Sequence, residues 1–260
     1  MMKCAIFQVD AFAAKPFEGN PAAVVPLDSW LDDETLLKIA AENNLSETAF
    51  FVKNEKGFDL RWFSPTTEVP LCGHATLASA YVVFNELGYD KNMVHFNTQS
   101  GELIVLKDEN GFIMDFPTKA PKPCPIPNGL SEALGIPITE CHENGFVVCV
   151  AKNEEAVQNA QPNHEALSTI APGEFIVTAK SRTYDFVSRC FAPGHGLEED
   201  PVTGAAHCVV APYWSDRLGK ATLRARQVSR RGGDVTCTIK GNRVELFGKA
   251  TLYLKGTIDI

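Results

Sequence analysis

Arg61-Trp62-Phe63-Ser64-Pro65, running on to Glu68-Val69-Pro70-Leu71-Cys72-Gly73, is written a second time in this 260-residue chain. The second version is Arg189-Cys190-Phe191-Ala192-Pro193, running on to Glu199-Asp200-Pro201-Val202-Thr203-Gly204. Leu87-Gly88 follows the first version and Leu218-Gly219 the second, with equal spacing from the preceding glycine. Two copies do not make a solenoid, whose repeats must stack in series. They imply two similar lobes facing each other across a cleft. Chemistry then has to come from the places where the copies differ.

Each copy opens a helix, one running from Gly73 towards Gly88 and the other from Gly204 to Gly219. Pro212 falls inside the second, where it either kinks the helix or lies in an early turn, because proline donates no backbone hydrogen bond. Asp32 or Asp33 can cap an earlier helix with Leu36, Leu37, Ile39 and Ala40 on its apolar face, ending near Asn43-Asn44. The remaining periodic stretches read as strands. Pro117–Gly129 carries five prolines among thirteen residues and suits a linker or edge crossing. The lobe boundary is placed there, giving lobes of 1–117 and 118–260, with the last strand free to cross back to the N-terminal lobe. Many strands with one principal helix per lobe indicate an α+β fold. Each lobe is expected as a mostly antiparallel or mixed, barrel-like sheet around a central helix. Ala75, Ala78, Ser79 and Ala80 are small enough for a helix held tightly inside a sheet.

Apolar content of 45% and charged content of 22% are ordinary for a globular protein. A net charge of −8 argues against a nucleic-acid surface. The basic run Arg217, Lys220, Arg224, Arg226, Arg230 and Arg231 reads as a solvated strand or turn face or, more sharply, as an anion or partner site. No apolar run approaches the roughly 18 residues needed to span a bilayer. The first residues lack the apolar core of a secretory signal. The eight cysteines have no C-x-x-C spacing, so reduced thiols in a cytoplasmic protein are expected. No P-loop, dinucleotide fingerprint or metal-ligand spacing appears, so neither cofactor nor metal is expected. His142 and His164 read as surface residues, and His195 as a weak candidate contact near the cleft.

A helix N-terminus carries unpaired amides and roughly half a positive charge. Two such ends, at Gly73 and Gly204, would suit a carboxylate or developing negative charge. The copies differ there. The first reads Cys72-Gly73-His74, and the second Thr203-Gly204-Ala205 with Asp200 ahead of it. His74 at a positive helix end tends to be neutral. Glu47, in Asn44-Leu45-Ser46-Glu47-Thr48, opens an apolar strand, and counting from the paired motifs sets it opposite Phe175. A carboxylate among apolar groups can serve as acid and base near neutrality.

Glu18-Gly19-Asn20-Pro21, Asn44-Leu45-Ser46-Glu47, Gly73-His74 and Glu199-Asp200-Pro201-Val202-Thr203-Gly204 together resemble the PhzF-like isomerase family, named for a phenazine-biosynthesis enzyme. The resemblance implies the fold of diaminopimelate epimerase, a homodimer, and cofactor-free isomerisation of a small carboxylic acid between the lobes. It implies Glu47 as proton shuttle with His74 and Asp200 as its polar partners. Asn20, Ser46, Cys72, Gly73, Thr203, Gly204 and Ala205 would line the substrate site. Ala205 stands where the phenazine enzyme has serine. Cys72 stands where diaminopimelate epimerase has one of its two catalytic thiols, and the second thiol has no match near Pro201. An amino-acid epimerase using Cys72 and a non-catalytic ligand-binding protein therefore remain open alternatives.

Overall fold

The computed structural model describes residues 2–260 and is a mixed α+β fold, rich in strand with few helices. Contacts divide it into two units. One is the chain up to Asp115 with Phe247–Ile260; the other is Phe116–Leu246.

In the first unit, β1 (Lys3–Ala11) pairs antiparallel with β2 (Asn20–Leu27). Helix α1 (Asp33–Asn43) leads to β3 (Glu47–Lys53), which runs parallel to β2. β4 (Phe58–Phe63) pairs antiparallel with β3 and with the short β5 (Glu68–Val69). After α2 (Gly73–Tyr81), β6 (Met93–Thr98) returns parallel to β4, and β7 (Gly101–Asp108) and β8 (Gly111–Pro117) follow antiparallel.

The second unit repeats this order. β9 (Lys122–Cys124) and α3 (Leu130–Leu134) precede β10 (Ile138–Asn144), which is antiparallel to β11 (Phe146–Ala151). Past α4 (Glu154–Gln158) and α5 (His164–Ser168), β12 (Phe175–Lys180) is parallel to β11, as β3 is to β2. β13 (Phe186–Ala192) pairs antiparallel with β12 and with β14 (Leu197–Asp200). After α6 (Gly204–Leu218), β15 (Thr222–Gln227) returns parallel to β13, and β16 (Gly233–Lys240) is antiparallel to it. β17 (Arg243–Gly248) and β18 (Ala250–Asp259) end the chain, with β18 antiparallel to β1. Residues beyond Phe247 thus belong to the first unit.

Each unit encloses one apolar helix. α2 is buried at every residue from His74 to Ala80 and packs on β1, β2, β3 and β18. Small side chains permit that closeness. α6 packs on β11, β15 and β16. Pro212 lies within α6 and cannot donate to Cys208 O, but Lys119 N–H reaches that carbonyl instead at 2.9 Å. The lost helix bond is thus replaced, and the helix span continues through the proline.

α1 begins and ends as its sequence suggests. Asp32 accepts from Thr35 N–H at 2.9 Å, and Asn44 closes the helix in the left-handed region. One expectation needs correction. The first central helix does not run evenly to Gly88. It becomes a π-helical turn over Val82–Glu86, with Leu87 N–H bonded to Val82 O. The proline-rich stretch includes the edge strand β9, which pairs with β10. Proline is tolerated at such an edge, where an N–H is dispensable. The five-residue helices α3, α4 and α5 escape a search for long periodic segments.

Candidate active site

Glu47 is the first residue of β3, opposite Ala22 of β2. In the second unit the first residue of β12 is Phe175, opposite Val147 of β11 and fully buried. The two residues therefore occupy matching places, and only one is ionisable. The left-handed Asn44 turns the chain out of α1, and Ser46 lies half-buried in the bend just before Glu47. Asn43 Nδ2 donates to Thr48 Oγ1 at 3.1 Å and ties that bend to the strand.

The start of α2 brings three more side chains to Glu47. Cys72 is the extended N-cap, and its side chain does not cap the helix. Its carbonyl accepts from the Thr76 N–H and, at 2.6 Å, from the Thr76 hydroxyl. His74 is buried, with Nδ1 3.2 Å from Asn20 Nδ2 and 3.5 Å from Cys72 Sγ. Its Nε2 lies 3.3 Å from Glu47 Oε2. That approach falls short of an aligned hydrogen bond. Such contacts are often off-axis in a resting site and tighten with substrate. Burial pushes the imidazole down to about 3, so His74 is neutral at physiological pH. A carboxylate at Glu47 would oppose this, but full desolvation decides the direction.

Asn20 reaches His74 because of the residue before it. Gly19 has φ +66°, and a Cβ there would lie 2.1 Å from Ala11 O. No other residue fits that turn without moving the strand. Asp10, also buried, accepts from Phe17 N–H at 2.9 Å and anchors the same loop.

Glu47, Cys72 and His74 each offer one ligand atom within 4.8 Å of the others, the one such trio found among the described residues. A soft or borderline divalent cation would accept this donor set. Metal binding and proton transfer would therefore compete for the same atoms.

The start of α6 is built differently. Thr203 is its N-cap, and the hydroxyl donates to Asp200 Oδ2 at 2.5 Å rather than capping the helix. Gln227 of β15, fully buried, takes Thr203 N–H on Oε1 at 2.9 Å. Its Nε2 donates to Asp200 O at 2.7 Å and lies 3.2 Å from Thr203 Oγ1. Gln227 thus fixes the turn carrying Asp200. His207 holds the place of Thr76 and repeats its bond, with Nδ1 donating to Thr203 O at 2.8 Å. Burial lowers His207 to about 4. Gly204 is buried in this turn and Ala205 is exposed. Neither Gln227 nor His207 stands out in sequence. Gln227 follows two arginines in a polar strand, and its partners are 24 or more residues away.

The duplicated Arg-x-Phe and Glu are scaffold. Arg61 makes two 2.7 Å bonds to Glu68 and lies over Phe63. Arg189 does the same with Glu199 at 2.7 and 2.9 Å and lies over Phe191. In the basic run, Glu140 pairs with Arg217, Asp185 with Lys220 and Asp234 with Arg226. His195 is exposed and 3.8 Å from Glu174. His142 and His164 are half-buried rather than surface residues, the first against Tyr213 and the second near Phe191. All eight cysteines are free.

The family model for "Phenazine biosynthesis-like protein" matches residues 9–256. An uncharacterized isomerase of Pseudomonas aeruginosa is 49% identical over 259 residues, covering 100% of both chains. A crystal structure of a phenazine biosynthesis protein of the PhzF family from Enterococcus faecalis superposes with TM-score 0.98 at 45% identity, covering 100% of both chains. A hydroxyproline epimerase from Agrobacterium vitis shares the fold alone, with TM-score 0.61 at 9% identity over 98% of this chain and 92% of the other. With its Glu47–His74 site and duplicated scaffold, the chain belongs to the phenazine biosynthesis-like (PhzF) family.

Proposed function

We propose that this protein is a cofactor-independent isomerase that moves a proton between carbons of a small carboxylic acid. The observation that carries the reading is the Glu47 carboxylate 3.3 Å from a buried, neutral His74 at the start of a helix without a side-chain cap. Relatives named as isomerases support the reaction class.

In this mechanism Glu47 takes a proton from a carbon activated by the substrate's carboxyl or by a neighbouring double bond. The electron pair of the broken C–H bond delocalises into the adjacent π-system. Amides at the start of α2, with their positive helix end, stabilise the resulting charge. His74 moderates the charge change on Glu47 without becoming an imidazolium. Protonated Glu47 then returns the proton to a different carbon, leaving substrate and product isomeric. Asp200, held by Thr203 and Gln227, is the polar partner for the substrate, with Ser46, Gly73, Thr203, Gly204 and Ala205 as further contacts. We place the active protein in the cytoplasm as a homodimer.

The test is solvent-deuterium incorporation over a panel of small carboxylic acids. Glu47→Gln should fold and bind but lose incorporation, and chelator treatment should leave the wild-type rate unchanged. Incorporation persisting in Glu47→Gln removes Glu47 from the mechanism; incorporation lost to chelator makes the trio of donors a metal site. A second reading, epimerisation with Cys72 as base on the opposite face, is favoured by its sulfur lying 3.5 Å from His74 Nδ1. Cys72→Ala turning over at an unchanged rate excludes it.

A further inference from the structure

We propose that Asn20 is a positioning residue that acts through His74, holding the imidazole in the tautomer whose proton is on Nε2. This goes deeper into the proton-shuttle reading and rests on it for its consequence, but not for its geometry. Asn20 is fully buried at the start of β2, and its Nδ2 is 3.2 Å from His74 Nδ1. An amide nitrogen donates and cannot accept, so Nδ1 must present its lone pair. A neutral imidazole carries one proton, and with Nδ1 accepting it must sit on Nε2. That nitrogen is the one 3.3 Å from Glu47 Oε2. The ring therefore offers a donor, not a second lone pair, to the carboxylate.

The consequence is directional. With the opposite tautomer, the Nε2 lone pair would face Glu47 and repel its ionised form, and the site would lose its resting base. With this tautomer, Glu47 is steadied as the carboxylate before it takes a proton. Gly19 supports the arrangement, since its positive φ and its tight approach to Ala11 O bring Asn20 to the ring. Cys72 Sγ is 3.5 Å from the same Nδ1 and is the rival for this role. The amide has the shorter contact, and N–H is the stronger donor. The structure of the second unit sets the contrast. There His207 Nδ1 donates to Thr203 O, so its neutral ring carries the proton on Nδ1. The two buried histidines should therefore be opposite tautomers.

The experiment is ¹⁵N NMR of the full-length protein labelled at histidine, with His74→Gln and His207→Gln used to assign the two rings. Wild type should show His74 protonated at Nε2 and His207 protonated at Nδ1. His74 protonated at Nδ1 overturns the proposal whether or not any substrate is known. Asn20→Asp replaces the donor with an acceptor and should move the His74 proton to Nδ1, while Cys72→Ala should leave it on Nε2. The reverse pattern assigns the role to the thiol and overturns the proposal. With a turned-over acid in hand, Asn20→Asp should lower the deuterium-exchange rate about 10²-fold, the lower end of what positioned acid–base groups supply. Unchanged exchange with a moved proton overturns the functional consequence alone, and loss of exchange in Glu47→Gln tests the isomerase reading separately.

Discussion

The starts of α2 and α6 are the same construction put to different uses. Both follow an Arg–Glu bidentate pair, both have an extended N-cap whose side chain leaves the first turn uncapped, and in both the residue four beyond the N-cap bonds back to its carbonyl. The differences lie in what faces the turn. The first has Glu47 and His74 where the second has Phe175 and Ala205, and the second has Asp200 where the first has Val69. A duplicated scaffold can keep its fold-determining contacts and still divide labour. One half sets Glu47 beside His74, and the other holds the Asp200 carboxylate through Thr203 and Gln227.

The largest effect is expected from forcing the halves to match. Phe175→Glu would remove a core ring and bury an unpaired carboxylate, costing at least about 3–5 kcal/mol. Urea unfolding checks this. A loss under 1 kcal/mol would mean that the second unit has room for an acid, and the asymmetry would lose its structural basis.

Next come the paired arginines. Arg189→Met should cost about 2–3 kcal/mol and Arg61→Met about 1–2 kcal/mol, because each leaves a partly buried glutamate without its cation, while Glu68 keeps the Gln99 amide at 2.8 Å. Arg189 should cost more because its further bond, to Ala160 O at 2.7 Å, is part-buried, whereas the further partner of Arg61, Asp33 at 2.9 Å, is exposed. Chemical unfolding midpoints of the two variants give the ratio, and a reversed order would contradict it.

The two buried histidines sharpen the comparison through pH. Burial puts both below the unfolded imidazole value near 6.5, to about 4 for His207 and about 3 for His74. Their contribution is fully present above that unfolded value. It is lost as pH falls, down through about 4 and then about 3, because the unfolded chain binds protons the folded chain refuses. The slope is at most about 1.4 kcal/mol per pH unit for each histidine. His207→Gln should flatten the fall in melting temperature between neutral and mildly acid pH. His74→Gln should flatten it at least as much, because that ring's folded value is the lower of the two.

Ala205→Ser should change stability least, within about 0.5 kcal/mol, since the site is exposed. Its use is in binding: if Ala205 lines the substrate, the added hydroxyl should change which carboxylic acids bind, as read by calorimetry.

The duplication was legible because its scaffold is local: an arginine, a phenylalanine two residues on and a glutamate a short loop later leave a pattern in the chain. The matching of Glu47 with Phe175 followed from the same count. The caps of α1 were legible for the same reason, with Asp32 and Asn44 each acting within one turn. What escaped depends on distant partners. Gln227 is an unremarkable polar residue until the parallel return of β15 sets it under Asp200. Asn20 reads as a substrate contact in its motif, and only the turn at Gly19 reveals His74 as its neighbour. β10, Ile138–Asn144, is too polar to read as a strand, and pairing with both β9 and β11 supplies what its sequence lacks. The Cys208 carbonyl freed by Pro212 could not be matched to Lys119 without the fold.

The most direct measurement is the rate of solvent-deuterium incorporation into a turned-over carboxylic acid, comparing wild type with Glu47→Gln at matched melting temperatures. Loss of about 10³-fold or more with binding retained is the expected result, within the range that general acid–base groups supply. Incorporation at the wild-type rate would contradict the assignment of the proton to Glu47.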